Sequence, residues 1–299
     1  ELRDPAFTLT KNEIGLAKVE FYNPENEGSY VFDNKQTSTY AAGDIAYNFD
    51  EIKVEAGLPE QASSQGSQII NKQTSLGLDK VDTDIPVTEA ENDHVYALII
   101  GNEDYTRYQT TLNEESNVDF ARHDAEIFAK YCNKTLGIPN ENITLLKDAI
   151  SSQMKREIAR LVAKAKYGGE DVELIFYYSG HGFPESKTQQ AYIMPVDIGG
   201  SQVTQGIKLS DLYKDLTQYP SKKVTVFLDA CFSGGGRKQG LLAAKAVKIK
   251  PKENILDGNL VVFSASSGDQ ESLFYREKQH GIFTYFLLKR VREILIMKA

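Results

Sequence analysis

A cysteine and a histidine each stand directly after an apolar run, where a side chain that merely packs would not be expected. Cys231 follows KKVTVFLDA (222–230), and His181 follows DVELIFYYSG (171–180). A thiol beside an imidazole is a nucleophile–base pair: the thiolate attacks a carbonyl carbon, and the protonated imidazole delivers a proton to the leaving amine. The neighbouring glycines allow a substrate to approach the backbone closely. The amides of Gly182 and Cys231 are the natural donors to an oxyanion.

The remaining cysteine and histidines have plainer interpretations. Cys132 falls in the apolar stripe of a predicted helix that begins near Val118, and a buried cysteine usually acts as a small apolar side chain. We interpret His94, His123 and His280 as caps or as hydrogen-bonded surface groups. We predict neither a metal site nor another cofactor.

The composition excludes several classes of function. The chain of 299 residues is 41% hydrophobic and 25% charged, which is ordinary for a soluble globular protein. No apolar stretch is long enough to span a membrane. The net charge of −8 argues against nucleic acid as a main partner, because phosphate binding needs a basic surface. Residues 1–30 do not resemble a signal peptide, but a signal could precede them, so the compartment is left open.

Charge divides the chain into two parts. Residues 1–91 contain 7 Lys+Arg and 17 Asp+Glu, a net −10, whereas residues 92–299 contain 27 and 25, a net +2. The front part is predicted to be an acidic extension, rich in short strands. These alternating stretches lie at 16–22, 29–32 and 47–54. Residues 61–93 are polar and show no period, which predicts a linker or an arm lying over the body.

From residue 94 onward, apolar runs alternate with amphipathic segments. Continuous runs such as HVYALIIG predict strands that are buried on both faces. Strands are predicted at 94–101, 141–146, 171–180, 191–197, 222–230 and 259–266, and helices at 118–132, 151–165, 209–216 and 281–295. This alternation predicts an α/β fold with a mostly parallel sheet flanked by helices. The carboxyl-terminal tips of such strands, and with them His181 and Cys231, share one edge.

These residues also carry a resemblance to a known family. A strand ending in SGHG, then DACFSG with its cysteine fifty positions after the histidine, resembles the caspase-like cysteine peptidases of the C14 class. DACFSG is closer to the metacaspase branch and to its bacterial relatives, the orthocaspases. The resemblance covers about residues 92–299, where YALIIGNEDY, FARHDAEIF, FYYSGHG, FLDACFSG, FSASSGDQES and HGIFTYFLL follow the family's order. It implies a caspase-like three-layer sandwich.

The resemblance implies a catalytic dyad of His181 and Cys231 together with a substrate pocket. In metacaspase-like enzymes, the aspartate two positions before the catalytic cysteine lines that pocket, and here it is Asp229. A second aspartate comes from the first helix, and here it is Asp124. Two carboxylates favour a cationic side chain, so cleavage after Arg or Lys is expected. Ser264 matches a further pocket position, while a helix cap or an exposed charge is the alternative for either aspartate.

The resemblance raises the question of whether this protein needs calcium. Many metacaspases bind calcium through an acidic run after the catalytic histidine. The corresponding stretch here is GFPESKTQQAY, in which Glu185 is the one acidic residue. Calcium dependence is therefore not expected.

Two segments outside the predicted core invite a regulatory interpretation. The loop at 232–258 contains six basic residues and two acidic ones. It is either a solvated basic loop or a target of self-cleavage by an enzyme selective for Arg or Lys. The front segment is either a separate extension or a prodomain that places a lysine such as Lys72 or Lys80 in the acidic pocket.

The leading interpretation is a cysteine endopeptidase that acts on proteins or peptides with Arg or Lys at the cleavage site. The first alternative is a catalytically silent caspase-like module for protein interaction, against which the intact Cys–His pair argues. The second is a nucleotide-binding α/β switch. Only the glycine tract GGGRK favours that reading, and it lacks the GxxxxGK[ST] spacing of a phosphate loop.

Overall fold

The computed structural model describes residues 8–11, 17–20, 38–39, 79–232, 259–265 and 274–296. Three short strands come first: β1 (Thr8–Lys11), β2 (Ala17–Glu20) and β3 (Ser38–Thr39), with β1 paired antiparallel to both others. They confirm a small β-rich extension, and β2 lies within the strand predicted at 16–22. The strands predicted at 29–32 and 47–54 lie outside the described residues.

The main body is built from parallel strands and the helices that connect them. Its strands are β4 (Val95–Gly101), β5 (Ile143–Lys147), β6 (Glu173–Ser179), β7 (Gly182–Pro184), β8 (Ala191–Ile193), β9 (Ile207–Lys208), β10 (Lys223–Asp229), β11 (Leu260–Ser264), β12 (Phe274–Tyr275) and β13 (His280–Gly281). Its described helices are α1 (Lys80–Thr83), α2 (Ala121–Lys134), α3 (Ser151–Gly168), α4 (Leu209–Leu216) and α5 (Ile282–Ile296). None of these helices has the length and apolar composition that a bilayer crossing requires.

Five strands form the central sheet in the order β11–β10–β6–β4–β5, and every pair is parallel. Successive side chains of a strand point to opposite faces. Leu174 and Phe176 of β6 therefore join the apolar cluster of α3 and α4, whereas Tyr177 joins the cluster of α2 and α5. Helices thus cover both faces, and the predicted three-layer α/β sandwich is confirmed.

The helices bury the stripes that the sequence predicts. In α3, residues Met154, Ile158, Leu161, Val162 and Ala165 are buried at helical spacing. The strand predicted at 191–197 is shorter and lies elsewhere: β8 pairs antiparallel with β7 and β9 in a separate small sheet. That placement follows from the short connection between β7 and β8, since strands joined by a hairpin must run antiparallel.

Residues 79–93 form an arm that lies against the body. Val81 of α1 is buried, and its carbonyl accepts a hydrogen bond of 3.0 Å from the Tyr131 hydroxyl. The amide of Thr88 donates to the carbonyl of Lys134 at 3.0 Å. Helix α1 itself was not predicted, because four residues are too few for a detectable period. Lys80 is exposed on it, so this lysine does not enter a buried acidic pocket.

The register of the sheet aligns the strand ends that precede the candidate site. Gly101 pairs with Ser179, and Ser179 pairs with Asp229. His181 stands two residues after Ser179, and Cys231 stands two residues after Asp229. The two side chains that were singled out for chemistry therefore leave the sheet at the same edge, as predicted.

A buried asparagine ties the connections at this edge together. Asn102 follows β4 and has no exposed surface. Its Oδ1 accepts a hydrogen bond of 2.7 Å from the amide of Ala149, and its Nδ2 donates to the carbonyl of Met194 at 3.0 Å. One side chain thereby joins the segment after β5 to the segment after β8.

We expect Asn102→Ala to lower the free energy of unfolding by about 1–3 kcal/mol, because it leaves the buried amide of Ala149 without its hydrogen-bond acceptor. Asn142→Ala is the matched control. The Asn142 side chain donates to the carbonyl of Asp93 at an exposed position, where water replaces the lost bond. Denaturant titration of the two variants measures the difference, and an equal loss in both would contradict the role of Asn102.

Candidate active site

His181 is almost completely buried, and its ring is held from two sides. Its Nε2 lies 2.7 Å from the carbonyl oxygen of Ser116. Because a carbonyl only accepts, Nε2 carries the proton and donates it. The ring lies 4.6 Å from the Tyr105 ring and stacks at 5.5 Å on Phe183, centroid to centroid. These contacts fix the tautomer and the plane of the imidazole.

The backbone of His181 is fixed by two buried tyrosines. Its amide donates to the Tyr105 hydroxyl at 3.0 Å, and its carbonyl accepts from the Tyr178 hydroxyl at 2.7 Å. Both tyrosines have no exposed surface. A segment held through side chain and backbone keeps one geometry at the sheet edge, which is what a catalytic group requires.

Cys231 and the segment after His181 are in direct contact. Cys231 is 5% exposed and is followed by the buried Phe232. A methyl group at position 182 would lie 2.9 Å from the carbonyl oxygen of Cys231 and 2.5 Å from the Phe232 ring. Only glycine allows the two strand tips to approach this closely. The structure therefore brings together the segments of His181, Gly182 and Cys231.

Asp124 lies in the first turn of α2 and has no exposed surface. Its Oδ1 is 2.6 Å from Nδ1 of His280, and its Oδ2 accepts a hydrogen bond of 2.9 Å from the amide of Gly281. Neither of the plain alternatives, a helix cap or an exposed charge, describes this carboxylate. It is a buried anion held by the segment that begins α5.

Asp229 ends β10 and is likewise fully buried. Its Oδ2 accepts from the hydroxyl of Thr284 at 2.7 Å and from the amide of Thr284 at 3.2 Å. The Thr284 oxygen also lies 2.6 Å from the hydroxyl of Tyr177. Since the single proton of Thr284 goes to the carboxylate, Tyr177 donates to Thr284, and a chain of hydrogen bonds runs from the sheet to Asp229.

Gly281 lies between the two carboxylates. A methyl group at this position would be 3.0 Å from Oδ2 of Asp124 and closer still to Oδ2 of Asp229. The two oxygens therefore converge on one point of the backbone. The predicted pair of aspartates exists, but both members are enclosed by residues 280–284 rather than open to a cleft among the described residues.

The pKa values of Asp124 and His280 are both raised in this cluster. Burial raises the pKa of Asp124 to about 6, against the opposing effect of His280, and the negative charge of Asp229 adds to the rise. Burial alone would lower the pKa of His280, but its hydrogen bonds to Asp124 and Asp82 raise that pKa to about 9. Both groups thus hold protons more tightly than they do in water.

Asp82 is the third carboxylate of the cluster and comes from the arm. Its Oδ1 lies 2.9 Å from Nε2 of His280 and 3.2 Å from Nε2 of His123. Although burial acts to raise it, the pKa of Asp82 lies well below its usual range, because both imidazoles are bonded to the carboxylate. His280 is therefore bonded on both ring nitrogens to carboxylates from different elements.

The structure corrects the interpretation of His280 as a cap or surface group, since its side chain has no exposed surface. His94, by contrast, is 40% exposed beside Glu173 and is a surface group as predicted. His123 is intermediate at 27% exposure. A signal for His280 was present in the sequence: it is the one side chain in HGIFTYFLL that can carry a positive charge, and it stands directly before the closing helix.

The remaining residues singled out in the sequence lie in three different environments. Ser264 ends β11 and pairs with Leu228, one residue before Asp229. Glu185 forms part of the β7–β8 turn, where its carboxylate accepts from the amides of Lys187 and Thr188 at 3.1 and 2.6 Å. Cys132 is fully buried in the apolar cluster of α2 and α5, and burial raises the pKa of its thiol far above the usual range.

Comparison with known proteins identifies a family. Residues 94–294 match the caspase domain family. No curated protein matches the chain. Among solved structures, the chain is similar to a crystal structure of the protein GSU0716 from Geobacter sulfurreducens, at 21% identity, with 65% of this chain and 80% of that chain covered and a TM-score of 0.49. The family match includes both strand tips and residues 280–284 and leaves Asp82 outside.

We expect Thr284→Val to lower the free energy of unfolding by about 1–3 kcal/mol, because it removes the hydroxyl that donates to the buried Asp229 and keeps the shape of the side chain. Thr284→Ser retains that hydroxyl and serves as the matched variant. Denaturant unfolding of both proteins measures the effect. A valine variant as stable as the serine variant would show that this hydrogen bond does not hold the carboxylate.

Proposed function

Because the chain belongs to the caspase domain family of cysteine peptidases, we propose that it is an endopeptidase with Cys231 as nucleophile and His181 as base, cleaving after Arg or Lys. The observation that carries the proposal is the contact of the two strand tips at Gly182, with the imidazole fixed by the Ser116 carbonyl. A positioned nucleophile and base, with the base oriented by a third group, is the arrangement that thiol catalysis needs.

The hydrogen bond to Ser116 determines which ring nitrogen works. Nε2 keeps its proton because it donates to that carbonyl, so Nδ1 is the nitrogen that takes the proton of the Cys231 thiol. The thiolate then forms a bond to the carbonyl carbon of the substrate, and the carbonyl electron pair moves to oxygen. The amides of Gly182 and Cys231 donate to that oxyanion.

The intermediate collapses when the carbon–nitrogen bond breaks. The leaving amine takes its proton from His181, and a thioester with Cys231 remains. Water, deprotonated by His181, then attacks the thioester, and the thiolate leaves with regeneration of the enzyme. The thiol proton that His181 takes up in the first half of the cycle goes to the leaving amine, and the proton that it takes from water in the second half returns to the Cys231 thiolate.

The preference for Arg or Lys rests on the buried aspartates. Asp229 is two residues before Cys231 in the chain, so its charge lies beside the nucleophile, and Asp124 shares the same point of the backbone. His280 provides one positive charge for the three carboxylates of Asp82, Asp124 and Asp229. A substrate guanidinium or ammonium supplies another once residues 280–284 move aside from the enclosed carboxylates, and a guanidinium pairs with carboxylates in two hydrogen bonds.

We expect the full chain to hydrolyse fluorogenic peptides that end in Arg or Lys, and not those that end in Asp or Leu. Cys231→Ala should lower the rate at least about a thousandfold, as removal of a nucleophile does in other peptidases, while Cys132→Ala should remain active per folded molecule. Asp229→Asn should lower kcat/KM for Arg peptides at least about 30-fold, because a buried charge loses its partner.

Added calcium should change none of these rates.

The alternative outcomes of this assay are distinct. If the Cys231→Ala variant still cleaved Arg peptides, Cys231 would be excluded as the nucleophile. Cleavage after Leu or Asp that depends on Cys231 would retain the dyad and reject the proposed specificity. A folded chain that cleaves no peptide would instead favour the catalytically silent interaction module.

Self-processing is a second expected outcome of the same specificity. The basic loop at 232–258 follows the nucleophile directly and lies largely outside the described residues. We expect the active chain to appear as two fragments on a denaturing gel after incubation, whereas Cys231→Ala stays whole. An active enzyme that remains intact would show that the loop is not a substrate.

A further inference from the structure

We propose that Asp82, His123 and His280 form a binding site for a divalent transition metal ion of the zinc class. Among the described residues, their ligating atoms are the one group of this kind that lies within 4.8 Å of one another. They come from three separate elements, namely the arm helix α1, helix α2 and strand β13. The site goes beyond the proposed peptidase activity and does not depend on it.

The distances from Asp82 to the two histidines suit a tetrahedral ion. Zinc binds imidazole nitrogen and carboxylate oxygen at about 2.0–2.2 Å, which places neighbouring ligand atoms about 3.3 Å apart. Oδ1 of Asp82 is 2.9 Å from Nε2 of His280 and 3.2 Å from Nε2 of His123. The two imidazole nitrogens lie within 4.8 Å of each other, and rotation of the partly exposed His123 ring can adjust this third distance.

The surroundings of the three ligands have the form of a metal site. Nδ1 of His280 donates to the fully buried Asp124 at 2.6 Å, and a ligating histidine commonly donates its other nitrogen to a carboxylate in this way. Oδ2 of Asp82 is 3.3 Å from the amide of Asp79, which donates to it. His280 and Asp82 are therefore oriented from behind by groups that do not themselves bind the ion.

Charge balance also favours a dication. Two carboxylates, Asp82 and Asp124, flank His280, and Asp229 lies beside Asp124. When zinc replaces the proton on Nε2, the net charge of these groups rises from −2 to −1. Lys278, the nearby cation, is already paired with Asp79 at 2.7 Å. Calcium and magnesium are poor candidates, because both prefer six or more oxygen ligands. The partial exposure of His123 leaves a side open to water for a fourth ligand.

The test uses the full chain carrying Cys231→Ala, which removes a thiol that would itself bind zinc and also prevents self-cleavage. Calorimetric titration with Zn²⁺ at about pH 8, where the ligands release protons readily, should show one ion bound per chain. Co²⁺ should give the visible absorption of a four-coordinate site with nitrogen and oxygen ligands. Zn²⁺ should also raise the unfolding temperature.

His123→Ala in the same background should weaken zinc binding at least about 100-fold, since a ligand is worth more than the outer partners whose loss costs about 10–100-fold. His94→Ala and His181→Ala are matched controls and should bind zinc as the parent does. Should His123→Ala fail to fold, as judged by circular dichroism in chelator, Asp82→Asn takes its place. No binding by the parent, or equal binding by the ligand variant, would overturn the proposal.

Discussion

Asp124 and Asp229 are carboxylates without exposed surface, and much of the architecture around them serves to keep them there. An ionised carboxylate costs several kcal/mol to bury unless hydrogen bonds and opposite charge replace its water. Here the segment 280–284 supplies four donors: the ring of His280, the amide of Gly281, and both the amide and the hydroxyl of Thr284. The closing helix is therefore bound to the sheet edge by polar contacts as well as by apolar packing.

The same constraint connects the arm to the candidate site. His280 contacts Asp124 with one ring nitrogen, and Asp82, from outside the family match, lies against the other. Two further pairs, Asp79 with Lys278 and Asp84 with Arg292, fasten the arm to the segment around α5. Residues 79–84 are thus structurally part of the body, although their charge groups them with the acidic front segment.

Local patterns were enough to predict most of the framework. Continuous apolar runs indicate buried parallel strands and a period of 3.6 indicates helices, because each signal arises within a few neighbouring residues. The parallel order then places every strand tip at one edge, so that His181 and Cys231 could be paired from the sequence alone. The position of Asp229 at the end of β10 followed from the same argument, since it precedes the nucleophile in the same apolar run.

What the sequence by itself determined is therefore the α/β framework and the sheet edge that Cys231 and His181 follow. The tertiary structure alone decided the partners of these groups: the Ser116 carbonyl is 65 positions from His181, and His280 is 156 positions from Asp124 and 198 from Asp82. Contacts across such separations leave no periodic trace in the chain. They exist only because folding excludes water from the site, and each buried polar group must then find its partner within the protein.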